Sequence, residues 1–391
     1  MPERYDQELL DRFRPCLVYD RQYDYRALAV ESAVANPGNL LRRRDGDVIA
    51  RTGAEPPLTL EVLSAAGGYP SDLTAELTDC LCQAPDHPGD ARTMEGDPQY
   101  AARLYGRCVD GDDGVVWLQY WFWLYYNPKH LFGFGKHEGD WEMVQLGVVE
   151  EDGGHRIVHV SYAQHDSGEA RPPDGVEYVD GTEHPIAYVA PLSHASYFSK
   201  GAHPYLLGVD HPYGDGPSGL LPVVPFGAWK AWPGRWGTSE NVTLGLLGNG
   251  PPSPAHQGTK WSDPGRWHAA KRWRRVRVWL GRLFELLGRR TYPPSPVLHR
   301  AVREPAGVRV YYEIGGRGLR RARHLYLTVH AGERVLESRA IRHAKDREPE
   351  ELLLVPDGRE ALTVCASAYN RLRQRSDLTE TPVGPAGPRA R

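Results

Sequence analysis

Two adjacent stretches, residues 115–127 (VVWLQYWFWLYYN) and residues 133–149 (GFGKHEGDWEMVQLGVV), restrict the fold more than any other part of the chain. The first is apolar or aromatic at both odd and even positions, as a strand covered on both faces requires. The second alternates. Asp140, Glu142, Val144, Leu146 and Val148 fall on one face, while Trp141, Met143, Gln145 and Val149 fall on the other. The turn residues Glu151-Asp-Gly-Gly154 and the run 157–163 then complete a hairpin. A dense antiparallel core with polar side chains at its mouth is the expected result.

The rest of the chain agrees with a mainly β protein. Its 42 Gly and 33 Pro imply many turns, and 11 Trp with 21 Tyr against three Met favour a rigid aromatic interior. A length of 391 residues suits two domains. The region 1–290 reads as a β-sandwich wrapped by an irregular Trp/Gly/Pro-rich segment, residues 201–264, and closed by a basic helix at 267–290. Residues 291–300 read as a Pro-rich linker and 301–381 as a small immunoglobulin- or fibronectin-like sandwich of five strands. Residues 382–391 are expected to be a disordered tail.

A net charge of −3 gives no global attraction to nucleic acid or acidic membranes. The N-terminus has no basic segment followed by an apolar run, and no window reaches the roughly 18 apolar residues of a membrane span. A cytoplasmic protein, peripheral to membranes if it touches them, is the expectation. The five cysteines lack zinc-type spacing and read as buried or free thiols.

The chemistry concentrates in HEGDWE. Asp140 and Glu142, two apart on an extended backbone, project together, and the glycines at 133, 135 and 139 let His137 fold back toward them. Two close carboxylates repel unless a proton or cation sits between them. Three readings follow: a divalent-cation site, an acid/base pair, or an internal hydrogen-bond network under a loop. His165, Asp166 and His194 also stand at strand ends where they could join the same pocket. Carboxylates with one imidazole suit Mg²⁺, Mn²⁺ or Ca²⁺; two further histidines shift the preference toward Zn²⁺ or Fe²⁺.

LQYWFWLYYN followed by KHEGDWEMVQLGVV resembles the vacuolar protein sorting-associated protein 62 family. The resemblance continues through YAQHDSG, HPIAYVAPLSHASYF and WPGRWG, and covers roughly residues 14–265. HEGDWE is also similar to the Gly-His-Arg-His-Asp-Trp-Glu heptapeptide of the necrosis- and ethylene-inducing toxins. That likeness implies a β-sandwich, a divalent cation held by His137, Asp140 and Glu142, and recognition of membrane sphingolipid. Lys136 and Gly139 depart from the heptapeptide, and no Asp lies between Asn127 and Lys136, so the shell would be completed by His165, Asp166 or His194.

The basic helix supports a surface role of its own. Lys271, Arg272, Trp273, Arg274, Arg275 and Arg277 would meet anionic lipid if that helix lay in an interface; the alternative is a helix packed on the sandwich with its arginines in solvent. No motif for sequence-specific nucleic-acid readout is present. The leading expectation is a cation-dependent binding or trafficking protein at a membrane or glycolipid surface, with the C-terminal β domain free to take a protein partner. The alternatives are a metal-dependent hydrolase using His165 or His194 as acid/base, and a structural module without metal.

Overall fold

A computed structural model describes residues 3–22, 25–43, 46–65, 79–83, 87–111, 113–128, 137–151, 153–164, 167–205, 208–238, 250–267, 292–342, 349–356, 358, 360–370 and 375–385. The chain divides into two compact units. One comprises residues 1–19, 25–200 and 218–272; the other comprises 20–24, 201–217 and 273–391.

The first unit is built on an eight-stranded sheet. Along its main path Glu3–Arg4, Leu104–Asp110, Val116–Asn127, His137–Glu151, Gly154–Gln164 and Ser167–Arg171 follow in order. The aromatic strand Val116–Asn127 is central, pairing Tyr120 with Val144 and Trp123 with Trp141 on one side. On its other side Leu104–Asp110 pairs as far as Trp121, and Ala27–Leu28 takes over at Trp123 and Leu124. Its residues 117–127 are all buried, as a two-sided apolar run requires.

Both faces have identifiable covers. Trp141 packs on Trp123, Trp229 and Trp236, with ring centroids 5.2–5.5 Å apart. Trp229, Trp232, Trp236 and Trp267 are buried, so the described parts of the Gly/Pro-rich segment wrap onto the sheet. A buried polar line helps to fasten this wrap. Arg107 Nε donates to Gln119 Oε1, Gln119 Nε2 donates to Gln145 Oε1 and to the Lys260 carbonyl, and Gln145 Nε2 donates to the Pro264 carbonyl. A four-stranded sheet, ordered Ser196–Tyr197, Ile186–Val189, Cys16–Val18 and Ser218–Leu220, is tied to the main one. Tyr162 stacks on Phe198 at 3.9 Å and donates to the Ile186 carbonyl at 2.8 Å.

The second unit carries seven strands in one hydrogen-bonded path: Arg334–Arg342, Ala322–Ala331, Leu362–Asn370, Thr379–Gly384, Val297–Glu304, Gly307–Glu313 and Glu350–Leu353. Their inward residues, among them Val308, Val310, Leu325, Leu327, Val329 and Val364, form one core cluster. Two boundary expectations are corrected. Val297–Glu304 is a strand that overlaps the linker expected at 291–300, and residues 382–384, expected in the tail, end the strand Thr379–Gly384. Both segments have sheet partners, because Ala301 and Val302 pair with Val383 and Gly384. Residues 20–24 and 201–217 belong to this unit as well. The buried Arg375 donates to Asp20 at 3.0 Å and stands 3.5 Å from Asp215. The basic helix expected at 267–290, with Lys271, Arg272, Trp273, Arg274, Arg275 and Arg277, lies outside the described residues beyond Trp267.

Candidate functional site

The motif opens the strand His137–Glu151, and one glycine decides how its side chains are distributed. Gly139 has φ +62°, and a Cβ there would overlap the Trp236 carbonyl oxygen and the Trp123 ring. Only glycine takes that backbone without strain or collision. The ladder to the aromatic strand pairs Glu138 with Tyr126 and Asp140 with Leu124 on either side of it. The left-handed residue breaks the local alternation, and the two acids meet different partners.

Glu138 is a buried clasp. Its Oε2 accepts the backbone N–H groups of Gln83 and Thr238, each at 2.9 Å, and its Oε1 stands 3.5 Å from His87 Nε2. His87 in turn stacks on Tyr126 with centroids 4.3 Å apart.

Asp140 faces another group. Its Oδ2 accepts from His194 Nδ1 at 2.8 Å, and its Oδ1 accepts the Trp141 N–H at 2.9 Å. Burial pushes the Asp140 carboxyl up, but the hydrogen bond from His194 and the charges of His137, His194 and Lys260 outweigh it and hold the carboxyl below its ordinary value. His194 comes from the turn between Ile186–Val189 and Ser196–Tyr197, closed by Ala190 N–H to Ala195 O at 2.9 Å. Leu192 (φ 73°) and His194 (φ 58°) are the described non-glycine residues with left-handed backbone. Such conformations cost of order 1–3 kcal/mol each and persist where surrounding structure enforces them.

Asn127 connects the third predicted ligand. Its amide nitrogen stands 2.9 Å from His137 Nε2 and 3.4 Å from Asp140 Oδ2. His137 Nδ1 donates to the Gly139 carbonyl at 2.7 Å. The amide groups are satisfied when the amide is turned over, with its oxygen 2.9 Å from His137 Nε2 and its nitrogen donating to the Leu192 carbonyl at 2.5 Å.

Of the predicted residues, the structure joins Asp140 directly to His194 and reaches His137 through Asn127. Glu142 is buried in the same strand opposite Phe122. His165 and Asp166 lie outside the described residues. Among the described residues, no group of three or more His, Cys, Asp or Glu side chains is gathered so as to hold a metal ion. Asn127, Glu138 and His87 escaped sequence reasoning as partners within this site. The end of the aromatic strand, directly opposite His137, was the available signal for Asn127.

Residues 128–212 match the family model of vacuolar protein sorting-associated protein 62. The matched span holds the motif strand, the following hairpin and the His194 turn, so the resemblance stands where the polar cluster is built. Two solved structures are similar in outline. One is necrosis and ethylene inducing protein 2 from the causal agent of cocoa's witches' broom disease, at 15% identity and TM-score 0.34, covering 67% of this chain and 92% of that one. The other, described as a toxin fold for microbial attack and plant defense, shows 16% identity and TM-score 0.25, covering 38% of this chain and 61% of that one. Overlaps this loose transfer no activity. No curated protein matches the chain. Among the described residues, no helix is long and apolar enough to cross a membrane.

Proposed function

We propose that this chain is a Vps62-like binding protein in which Asp140 and His194, with His137 close by, would supply ligands to a divalent cation. The observation that carries this reading is the buried 2.8 Å hydrogen bond from His194 Nδ1 to Asp140 Oδ2, with His137 one amide away. Residues 54 positions apart in sequence are brought together with complementary donors for a cation. A carboxylate oxygen, two imidazoles and an amide oxygen suit a hard or borderline ion such as Mg²⁺, Mn²⁺, Ca²⁺ or Zn²⁺. Binding would exchange the proton between Asp140 and His194 for the ion, with Glu142, His165 and Asp166 as further ligands. The cation would then bridge to oxygens of a lipid or glycolipid headgroup at an anionic surface.

Liposome flotation with anionic and glycolipid vesicles, with and without chelator, tests the reading. Cation-dependent flotation that His194→Ala and Asp140→Ala both abolish is expected. Absence of binding in either condition removes the membrane role. Elemental analysis that finds no metal, together with a melting temperature indifferent to added cations, returns the cluster to a structural network.

The same hydrogen bond favours one second reading. A carboxylate holding an imidazole through Nδ1 is the arrangement that orients a general base in hydrolases. Complete burial of His194 weighs against it, because a substrate must reach the other ring nitrogen. A broad hydrolase screen in which every activity survives Asp140→Ala eliminates this alternative.

A further inference from the structure

A second cluster of metal-ligating side chains stands apart from the His194 turn. Cys80 and Cys82 lie on the short strand Cys80–Cys82, two residues apart, so both thiols leave the same face and Leu81 leaves the other. Their sulfurs are 3.2 Å apart, with Cys82 buried and Cys80 partly so. The backbone that carries them is held on both sides. Leu40–Arg42 pairs along one edge, while Leu81 N–H donates to Arg235 O and Arg235 N–H donates to Asp79 O, each at 2.8 Å, along the other. The next residue, Gln83, is fixed by its N–H bond to Glu138. The backbone is thus held at both edges, so any change in the sulfur–sulfur distance comes from side-chain rotation.

Two chemistries fit a pair of fixed thiols. A disulfide would need the sulfurs to close to about 2.05 Å across Cα atoms that a strand spaces by about 6.4–6.8 Å, at the far end of what a disulfide spans. A metal held between them asks the opposite. With metal–sulfur bonds of about 2.3 Å, a linear two-coordinate ion needs the sulfurs about 4.6 Å apart, so the pair must open from 3.2 Å by side-chain rotation. No third or fourth ligand is required.

The geometry points to Cys80 and Cys82 as a two-coordinate site for a soft monovalent d¹⁰ cation, Cu(I) or Ag(I). Thiolates select such ions over the hard cations that suit Asp140. In the binding step both S–H bonds break, two S–M bonds form and two protons leave, with no change of oxidation state.

The test uses the full reduced chain under anaerobic conditions and Cu(I) supplied as its coloured bicinchoninate complex. Withdrawal of one copper per chain, with release of two protons, is expected for the wild type and for Cys108→Ser, whose buried thiol lies on the strand Leu104–Asp110. Cys80→Ser and Cys82→Ser should each lower the affinity at least tenfold while leaving the metal-free melting curve in place. If either serine variant withdraws copper as well as the wild type, the assignment is wrong. It is equally overturned if the wild type withdraws none. Should a serine variant fail to fold, blocking the thiols of the folded wild type with N-ethylmaleimide replaces it; withdrawal that survives modification of Cys80 or Cys82 overturns the proposal.

Discussion

Replacing Gly139 by alanine isolates the constraint on which the candidate site depends, and the same hairpin contains its control. At φ +62° an L-residue bears about 1–2 kcal/mol of left-handed strain. The added Cβ also meets the Trp236 carbonyl oxygen and the Trp123 ring. Trp123 is fully buried and Trp236 is held through its indole bond to Ser253 at 2.7 Å, so neither yields cheaply, and overpacking adds about 1–3 kcal/mol. The expected loss for Gly139→Ala is about 2–5 kcal/mol. Gly153 has φ +77° in the turn at the other end of the strand, with nothing within 4 Å of a Cβ. Gly153→Ala should therefore lose only the conformational part, about 1–2 kcal/mol. Urea unfolding followed by tryptophan fluorescence, with unchanged m-value, reads both. Equal losses in the two variants would refute the steric reasoning.

Three further outcomes can be measured in the same way. Arg375→Leu leaves the Asp20 carboxylate buried beside Asp215 and should cost the second unit about 3–5 kcal/mol, much of it recovered in the Asp20→Leu/Arg375→Leu double variant. Gln145→Leu removes the acceptor of Gln119 and Trp267 and the donor to the Pro264 carbonyl, and should cost about 1–3 kcal/mol per group stranded. Burial, with the charges of His203 and Arg375, holds His211 down to about 3, so its stabilising contribution is present above the ordinary histidine value and is lost as pH falls, by about 2 kcal/mol at pH 5. Burial pushes Asp20 up to about 6 against Arg375, and its protonation favours the folded state from that pH downward. His211→Phe should consequently turn the acid slope of urea midpoints between pH 7 and 5 toward stabilisation, and a slope unchanged from wild type contradicts the assignment.

The main sheet was legible in the sequence because burial on both faces leaves its mark at every position of 116–127, and burial on one face leaves a period of two in 140–149. The two terminal strands of the second unit were hidden by proline. Pro293, Pro294 and Pro296 precede Val297–Glu304 and suggest a linker, and Pro382 suggests the start of a tail. Pro382 is tolerated because its strand changes partner there, pairing with Thr363 through Pro382 and with Ala301 and Val302 beyond it. The attachment of 20–24 to the second unit had no local signature at all, since Asp20 and Arg375 are 355 positions apart.

The candidate site was half legible for a related reason. Period-two reading places Asp140 and Glu142 on one face, and it extends to Glu138 only while every intervening residue is extended. Gly139 is not, so Glu138 closes on the Gln83 and Thr238 amides while Asp140 turns to His194. Any ion in this pocket must therefore take Asp140 without Glu138, whose Oε2 already receives two backbone N–H groups at 2.9 Å. His194, from a turn 54 residues onward, is the side chain that meets Asp140, and its turn carries left-handed backbone at 192 and 194. Relaxing that turn should separate His194 from Asp140 before it disturbs the sheet, which makes the turn, rather than the motif alone, the element on which the chemistry of this site depends.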